Sequence, residues 1–444
     1  MTDPNPCRVI GVLDDGVSSL SATALAHIRT ADVVIGASRT LALFSDVFKA
    51  DAEQHDLTGQ MKTVPEWIQA ARDADKTVVV LATGDPLCHG IAAWLASRLC
   101  IEALDILPNI STLQLACARV GLAWQDAKIV SVHAKDAGHW QQGAGPEHGL
   151  HALAQALRAH DRLMVFTSPD NTPARIAELI CIEGMEEDFQ MAVAENLLQP
   201  DEKVHPQLSP RDCVSMQFAS LNVVVLWRVR PRQNPVLLGQ ADSTYHMRQP
   251  KGDGSGGLIT KQEIRAVSLA RLQLRQDSIV WDIGAGSGSV GLEAARLCRR
   301  GHVYAIEKNE HDVAIVRQNH AAFGVSNYTL LHDKAPNGLN AWPDPDAIFI
   351  GGSGGELADL IRLSLHRLKP GGQLVMNFVT LENMATALDT LKACDKDTSE
   401  SGEFTLDWDV LHLQASRSKP ILHMTRLVPE SPVWLVCATK QNLT

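Results

Sequence analysis

The stretch that decides the fold of this chain is Ile279–Leu297, IVWDIGAGSGSVGLEAARL. It predicts a buried strand, a glycine-rich turn and a helix, because apolar residues run up to Asp282 and then recur at helical spacing. Glycine lets a backbone bend sharply and approach a ligand closely. Glu307 follows the next predicted strand, Val303–Ile306, roughly 20 residues beyond the glycines. A carboxylate there can accept hydrogen bonds from ribose hydroxyls, so the stretch predicts a site for a nucleoside-bearing cofactor.

The glycine pattern separates three interpretations of this turn. Dinucleotide-binding folds are typified by G-x-G-x-x-G, whereas here Asp282 precedes alternating glycines at Gly284, Gly286 and Gly288. A strand–helix turn without a ligand is a second interpretation, which the correctly spaced Glu307 disfavours. The pattern resembles the first motif of the class I S-adenosylmethionine methyltransferases. In that family the loop wraps the methionine end of the cofactor, and the acid after the second strand holds the ribose.

Length and composition favour a protein of two domains. The chain has 444 residues, more than one ordinary core accommodates, and its 45% hydrophobic and 20% charged residues are typical of globular proteins. The formal net charge of -11 disfavours a nucleic-acid partner. Nine cysteines without a C-x-x-C pair predict reduced thiols and a cytoplasmic location, with no signal peptide or membrane span. No metal site is expected, because His148 and His151, predicted as a surface pair on one helix, lack a third ligand.

The chain beyond residue 257 alternates helices and strands. Helices are predicted over Lys261–Leu274 and about Glu310–Phe323, and strands over Tyr328–Leu331, Ala347–Ile350 and Gln373–Val379. This alternation is typical of a doubly wound parallel sheet, which binds ligands at the carboxyl ends of its strands. Polar and glycine-rich segments follow these strands, so the C-terminal half is predicted to be an α/β domain with its site at that edge.

The N-terminal half predicts a second α/β unit without such a loop. Strands are predicted over Arg8–Leu13, Val33–Gly36, Thr77–Ala82, Leu104–Leu107, Leu163–Phe166, Met191–Ala194 and Val223–Trp227. The third strand leads into the turn signal Gly84-Asp85-Pro86, and Ser111 is expected to cap the helix that follows it. Between the halves, Gln249–Gly257 predicts a flexible joint. We therefore expect domains at 1–235 and 257–444, with a linker at 236–256.

The motifs of the N-terminal half resemble the tetrapyrrole methylases, the class III methyltransferases of cobalamin and sirohaem synthesis. The resemblance rests on Gly84–Leu87 with Gly90, and on Ser111-Thr112 at a helix start. In that family the cofactor lies folded between two α/β lobes. The opening segment Gly11–Gly16 departs from the pattern, because Leu13 stands where a second glycine is usual. We expect this residue to narrow the cofactor cleft.

The C-terminal half resembles the decarboxylating precorrin methyltransferase domain. Three segments carry this resemblance: Gly257–Arg265, Phe349–Gly355 and Val379–Asn383. The two halves in this order resemble the fused decarboxylating precorrin methyltransferases over nearly the whole chain. The resemblance implies an α/β protein with an N-terminal two-lobed tetrapyrrole methylase fold and a C-terminal doubly wound, Rossmann-like class I methyltransferase sheet.

The resemblance also implies the reaction. Precorrin-6B (precorrin-6Y) would gain a methyl group at C-5 in the N-terminal domain and at C-15 in the C-terminal domain. The C-terminal domain would also remove the carboxylate of the C-12 acetate, giving precorrin-8X in cobalamin biosynthesis. Each domain would hold its own S-adenosyl-L-methionine, and catalysis would rest on positioning and desolvation rather than on a side-chain nucleophile. The partners would be the tetrapyrrole and further copies of the chain, up to a tetramer through the C-terminal domain.

Carried over residue by residue, the resemblance implies cofactor contacts in both domains. In the N-terminal domain these are Gly84, Asp85, Pro86, Ser111 and Thr112. In the C-terminal domain they are Thr260, Gly284, Ala285, Gly286, Ser287, Gly288, Glu307 and Ala335. The candidates for contact with the tetrapyrrole are Thr380, Glu382 and Asn383 after a strand, and the cations Lys261, Arg265 and Arg39. Arginine is suited to this because it can bind a carboxylate through two hydrogen bonds.

Several of these residues also fit purely structural roles. Lys261 and Arg265 lie one helical turn apart, which is typical of a solvated helix face. Glu382 and Asn383 are equally suited to capping a helix, and Asp85 to capping its own turn. Contact with a ligand is therefore one of two interpretations at each of these positions.

Two other functions remain open from the residues alone. In one, the N-terminal half is a non-catalytic lobe that delivers substrate to a single class I methyltransferase. In the other, the C-terminal half methylates RNA or protein. The net negative charge disfavours RNA as a substrate. Enzymes that methylate amino groups commonly have D/N-P-P-Y/F after the fourth strand, whereas this chain has Ile350–Gly354, IGGSG, which disfavours that class of reaction. A glycine-rich edge leaves room for a broad, flat ligand such as a macrocycle.

Overall fold

The computed structural model describes residues 5–133, 138–231, 236–248, 259–401 and 403–442. Contacts divide the chain into an N-terminal unit, residues 1–139 with 159–231, and a C-terminal unit, residues 140–158 with 232–444. Within the described ranges, no helix combines the length and the apolar character that a bilayer span requires.

The first sheet of the N-terminal unit is parallel and is covered by helices on both faces. Its strand order is β3-β2-β4-β1-β5. Val9 and Val80 belong to one core and Ile10 and Leu81 to the other, which explains why these strands read as unbroken apolar runs. The elements are β1 (Cys7–Val12), α1 (Ala22–Thr30), β2 (Val33–Gly36), α2 (Ser38–Leu43), β3 (Glu53–Asp56), α3 (Val64–Asp73), β4 (Val78–Thr83), α4 (Ile91–Leu99), β5 (Leu104–Leu107) and α5 (Thr112–Val120).

The second sheet gives the N-terminal unit its other lobe, as predicted. Its order is β6-β7-β10-β8-β9, with only β6 and β7 parallel. Leu113 and Ala116 of α5 pack against Met164 and Val225 of this sheet. The elements are β6 (Lys128–Ser131), β7 (Arg162–Phe166), α7 (Pro173–Ile182), β8 (Phe189–Glu195), β9 (Lys203–Leu208), α8 (Pro210–Cys213) and β10 (Asn222–Arg228). Between β6 and β7 in sequence, α6 (His151–Ala159) belongs to the C-terminal unit up to Arg158.

The C-terminal unit is built on one sheet of seven strands in the order β13-β12-β11-β14-β15-β19-β16. The predicted parallel arrangement holds for the first five strands, whereas β19 and β16 are antiparallel additions. The elements are α9 (Gln262–Arg271), β11 (Ile279–Ile283), α10 (Ser289–Leu297), β12 (His302–Glu307), α11 (Glu310–Phe323), β13 (Tyr328–His332), β14 (Ala347–Ile350), α12 (Leu357–Arg367), β15 (Gln373–Phe378), α13 (Leu381–Ser401), β16 (Thr405–Leu413), β17 (Ser416–Ile421), β18 (Met424–Pro429) and β19 (Val433–Gln441).

Residues 236–248 require a correction to the linker predicted at 236–256. Tyr245 is 4% exposed and stacks on Phe323 with ring centroids 4.9 Å apart. The amide of Gly239 donates to Glu293 at 2.7 Å. These residues are therefore a packed part of the C-terminal unit. The rest of the linker and the predicted joint at 249–257 lie outside the described residues.

The segment 140–158 corrects a second expectation, the surface pair of His148 and His151. Helix α6 begins at His151, which is buried and lies 5.5 Å from His302 between ring centroids. The Thr329 hydroxyl donates to the carbonyl of Gly143 at 2.6 Å. Burial lowers the pKa of His302 to about 3. Since burial disfavours the charged imidazolium, the His302 ring is neutral at physiological pH.

Candidate functional site

The glycine loop, residues 284–288, joins β11 to α10 at the carboxyl edge of the C-terminal sheet. Gly284, Gly286 and Gly288 have φ angles of 74°, 56° and 75°, a left-handed conformation that favours glycine. A Cβ atom at Gly284 would lie 2.5 Å from the carbonyl oxygen of Gly352. The loop thus meets the glycine segment 351–355 through bare backbone, and a side chain at Gly284 would separate the two.

Glu307 ends β12 beside this loop, and its carboxylate holds the loop in place. One oxygen accepts from the amide of Gly286 and the other from the amide of Asn309, both at 2.9 Å. The residue is 8% exposed. Each carboxylate oxygen has a further lone pair, so Glu307 can anchor the loop and still accept from ligand hydroxyls.

A cavity of about 1020 Å³ opens at this edge of the sheet. Most of the cofactor contacts predicted for this domain line it, together with one predicted substrate cation: Thr260, Lys261, Gly284, Ala285, Gly286, Ser287, Glu307 and Ala335. Gly288 does not line it and instead precedes the first turn of α10. Residues far apart in sequence therefore converge on one space, as the prediction requires.

Three predicted tetrapyrrole contacts lie outside the lining of this cavity. The hydroxyl of Thr380 accepts from the amide of Asn383 at 3.4 Å, which caps the start of α13. Glu382 and Asn383 are exposed in the first turn of that helix. The cap is thus made by Thr380 and not by Glu382 or Asn383, and contact of the three with a tetrapyrrole stays a prediction. The preceding Val379 does line the cavity.

Arg265 requires a correction, because it is fully buried and not available to a substrate carboxylate. Its Nε donates to Glu293 at 2.7 Å, and its Nη1 donates to the carbonyl of Thr260 at 2.5 Å and to Asp242 at 3.3 Å. The guanidinium also lies over the Tyr245 ring. Arg265 thus holds the backbone of Thr260 at the cavity rim. Lys261 remains half-exposed, and its Nζ lies 3.7 Å from the Asp242 carboxylate.

Asp282 and Tyr328 form a buried polar pair behind the glycine loop that sequence analysis did not predict. Asp282 accepts from the amide of Gly291 at 3.1 Å. Its other oxygen and the Tyr328 hydroxyl have no hydrogen-bond partner among the described residues. Burial raises the pKa of Asp282 to about 7, and the negative charge of Glu307 adds to this. Gly291 was the available signal, since a Cβ there would lie 2.4 Å from Asp282.

Asp282→Asn should change how stability depends on pH. The pKa of Asp282 is about 7 in the folded chain and near 3.8 unfolded. Between these values the folded state keeps a proton that the unfolded state has lost, so this residue lowers stability as pH rises from about 4 to about 7. The variant should gain stability over wild type across that window, on the order of a few kcal/mol. Urea unfolding at pH 4.5 and 7.5 checks this; a pH-independent difference would contradict it.

In the N-terminal unit, the structure brings Gly84 to the start of α5. A Cβ at Gly84, where φ is 69°, would lie 3.3 Å from Cα of Ser111 and 3.4 Å from the amide of Thr112. Ser111 caps α5, as predicted, by accepting from the amide of Leu113 at 3.3 Å. Asp85 accepts from the amide of Leu87 at 2.9 Å, so it caps its own turn.

Two other predictions for the N-terminal unit change with the structure. Leu13 is 3% exposed, so its side chain packs in the interior and does not narrow an open cleft. Arg39 is half-exposed and donates to Asp14 at 2.6 Å. Gln199 donates to the same carboxylate oxygen at 2.8 Å. A substrate carboxylate at Arg39 would therefore compete with Asp14.

Comparison with known families gives one match to each half of the chain. Residues 7–209 match the tetrapyrrole (corrin/porphyrin) methylases, and residues 253–440 match the precorrin methyltransferase domain. A crystal structure of precorrin-6Y C5,15-methyltransferase from Geobacter metallireducens is 35% identical and covers 46% of this chain and 97% of that one, with a TM-score of 0.41.

Two curated relatives match along much greater lengths of this chain. Precorrin-6Y C(5,15)-methyltransferase (decarboxylating) from Sinorhizobium sp. is 32% identical over 96% of this chain and 94% of its own. Its namesake from Mycobacterium tuberculosis (strain CDC 1551) is 30% identical over 85% and 88%. Cobalt-precorrin-6B C(15)-methyltransferase (decarboxylating) from Salmonella typhimurium is 34% identical over 41% of this chain and 90% of its own. The chain belongs to the family of decarboxylating precorrin-6Y C(5,15)-methyltransferases.

Proposed function

We propose that this enzyme uses S-adenosyl-L-methionine to methylate precorrin-6Y at C-5 and C-15 and removes the carboxylate of the C-12 acetate, giving precorrin-8X in cobalamin biosynthesis. The observation that carries the proposal is a match over 96% of the chain to a relative named for this reaction. The cavity beside the glycine loop and Glu307 supports it, because it offers a nucleoside site next to further open space.

The two halves divide the work in this proposal. The Salmonella relative, named only for C(15) methylation and decarboxylation, aligns with 187 residues of this chain. That length is close to the C-terminal family match at 253–440. We therefore assign C-15 methylation and decarboxylation to the C-terminal domain, and C-5 methylation to the N-terminal domain with its boundary near residue 235.

The residues around the C-terminal cavity fit S-adenosyl-L-methionine. When bound, this cofactor supplies an electrophilic methyl group on a sulfonium. Glu307 would accept from its ribose, and the glycine loop would lie against its methionine end, since the space beside Gly286 is open where a Cβ would stand. Thr260 would stand at the rim, fixed by Arg265. These residues bind and orient, and burial by the cavity walls excludes water.

The N-terminal domain would hold a second molecule of S-adenosyl-L-methionine. Gly84, Pro86 and the α5 start at Ser111 and Thr112 would contact it. A Cβ at Gly11 would lie 2.1 Å from the carbonyl oxygen of Gly84, so the ends of β1 and β4 also meet through bare backbone. The convergence of the β1 and β4 ends with the start of α5 at Gly84 supports a second site in this chain.

The decisive test is the mass of the product after anaerobic incubation of precorrin-6B with S-adenosyl-L-methionine. We expect a gain of two methyl groups with loss of one carbon dioxide. A gain of one methyl group with that loss would restrict activity to the C-terminal domain. An unchanged mass, with both ligands shown to bind, would reject the proposed reaction.

We also infer that the enzyme is a cytoplasmic homo-oligomer, up to a tetramer, without a nucleic-acid partner. The β17–β18 hairpin of the C-terminal unit supports self-association, because four of its apolar residues are exposed: Ile421, Leu422, Met424 and Leu427. Exposed apolar patches of this kind mark interaction surfaces. The double substitution Leu422→Asp and Leu427→Asp should therefore lower the mass measured by light scattering. The same mass in wild type and variant would contradict this surface.

A further inference from the structure

The cations that line the C-terminal cavity differ in whether the protein neutralises them. Arg248 is ion-paired with Asp312, Lys261 lies 3.7 Å from Asp242, and Lys334 is paired with Glu356. Lys308 lines the same cavity and is exposed. Among the described residues, no ion pair to Lys308 is recorded. Lys308 is therefore the cation of the lining whose charge can pair with an anionic group of a ligand.

The anionic residues of the lining have partners of their own. Asp312 is ion-paired with Arg248, and Glu430 accepts a hydrogen bond from Arg417 at 2.8 Å. Asp333 accepts from Asn337 at 3.0 Å and from the amide of Lys334 at 2.6 Å, and these hydrogen bonds hold the pKa of that carboxyl below its ordinary value. Glu307 accepts two backbone amides. The lining thus carries four cations and four carboxylates, and among the described residues Lys308 is the cation of this set without an ion-paired carboxylate.

Lys308 and Lys334 converge on one point of the glycine segment 351–355. A Cβ at Gly354 would lie 3.2 Å from Nζ of Lys308 and 3.5 Å from Cε of Lys334. A side chain at Gly354, where φ is 63°, would be strained and would press on the flexible end of Lys308, with ordinary van der Waals contact to Lys334. The bare segment leaves the side chains of Lys308 and Lys334 beside an open edge, where Glu356 pairs with Lys334.

We infer that Lys308, assisted by Lys334, forms a carboxylate-binding subsite that anchors the rim of the tetrapyrrole at the glycine segment 351–355. The inference rests on the proposed function, since a reduced tetrapyrrole carries carboxylates around its rim. The cavity, of about 1020 Å³, lies at the upper end of the about 300–1,000 Å³ usual for ligand pockets, and its lining runs from the glycine loop to Gly351–Gly354. The glycines admit the flat edge of a macrocycle, and the ammonium groups meet its charges.

The anchored carboxylate is one that the reaction retains. An ammonium group beside the departing carboxylate would stabilise the negative charge of that carboxylate and so oppose the loss of carbon dioxide. In that step the electrons of the broken C–C bond pass into the macrocycle. Lys308 is therefore a binding and positioning residue. Its loss should raise KM for the tetrapyrrole more than it lowers kcat.

The test is isothermal titration of the full chain, saturated with S-adenosylhomocysteine, with uroporphyrin, a porphyrin of eight carboxylates. Lys308→Gln should weaken one binding step about fivefold, as expected for a partly exposed ion pair, and Lys308→Arg should restore it. Lys334→Gln should weaken it less, because Glu356 already offsets that charge. The matched control is Lys392→Gln, which removes an exposed lysine on α13 that does not line the cavity.

Three outcomes would overturn the inference, and they differ from one another. If Lys308→Gln and Lys392→Gln bind uroporphyrin equally well, the subsite is absent while the proposed function stands. If Lys308→Gln instead weakens only S-adenosylhomocysteine, the lysine serves the cofactor. If the wild-type chain does not bind uroporphyrin, both the tetrapyrrole substrate class and the subsite are rejected.

Discussion

Glu307→Gln should abolish C-15 methylation and decarboxylation while C-5 methylation continues. The glutamine amide would present its NH2 group at one of the two oxygens with which Glu307 now accepts from Gly286 and Asn309, both at 2.9 Å. It would also lose acceptors for the ribose. Charge-assisted hydrogen bonds contribute about 1.5–3 kcal/mol each. Loss of one to two of them should weaken S-adenosylhomocysteine binding at the C-terminal site about 100-fold.

The measurement combines calorimetric titration with the mass of the reaction product. The matched control is Glu310→Gln, which removes an exposed carboxylate three residues further along the chain that does not line the cavity. We expect the control to behave as wild type. The Glu307→Gln product should carry one added methyl group and retain every carboxylate. Loss of carbon dioxide by this variant at the wild-type rate would contradict the assignment of the C-terminal site.

Arg265→Met should destabilise the C-terminal unit by about 3–5 kcal/mol, the range for breaking a buried ion pair on one side. Its partner Glu293 is fully buried, and the two side chains meet at 2.7 Å. The amide of Gly239 and the Tyr245 hydroxyl, at 2.7 and 2.8 Å, also donate to Glu293. The variant would leave that carboxylate charged in the interior without its cation, and methionine would fill part of the volume.

Hydrogen exchange in α9 and α10 measures this effect, because it reports the opening free energy of the unit that contains them. The control is Arg271→Met on the same helix, whose pair with Asp409 lies 3.1 Å apart at the surface. Exposed pairs contribute about 0–1 kcal/mol. Equal losses in the two variants would show that burial does not set the energetics of Arg265.

The glycine loop was predictable because its signals are local. Strand, alternating glycines and the acid at Glu307 lie within one βα unit, and the structure places them as expected around one cavity. The Ser111 cap was predictable for the same reason, since a side chain that bonds its own helix needs no distant partner. In the N-terminal unit, the approach of Gly84 to Ser111 follows from the parallel order of β4, β1 and β5.

The burial of Arg265 could not be predicted from the sequence. Its spacing from Lys261 is typical of a solvated face, and only the packing of Glu293 and residues 236–248 makes it buried. The same holds for His151, which lies against His302 through a contact between distant parts of the chain. The antiparallel strand β16 escaped prediction because it is largely exposed and carries no continuous apolar run. Each of these features depends on tertiary contacts and not on local periodicity.

The central claim is that one chain holds two cofactor sites, and the stoichiometry of S-adenosylhomocysteine binding to the full chain tests it most directly. We predict two molecules per chain. Glu307→Gln should leave one, and so should Gly84→Val, because a side chain at Gly84 meets backbone atoms of Ser111 and Thr112 at 3.3–3.4 Å. One molecule per wild-type chain, unaffected by Gly84→Val, would contradict the claim and leave the N-terminal half as a binding lobe for a single methyltransferase.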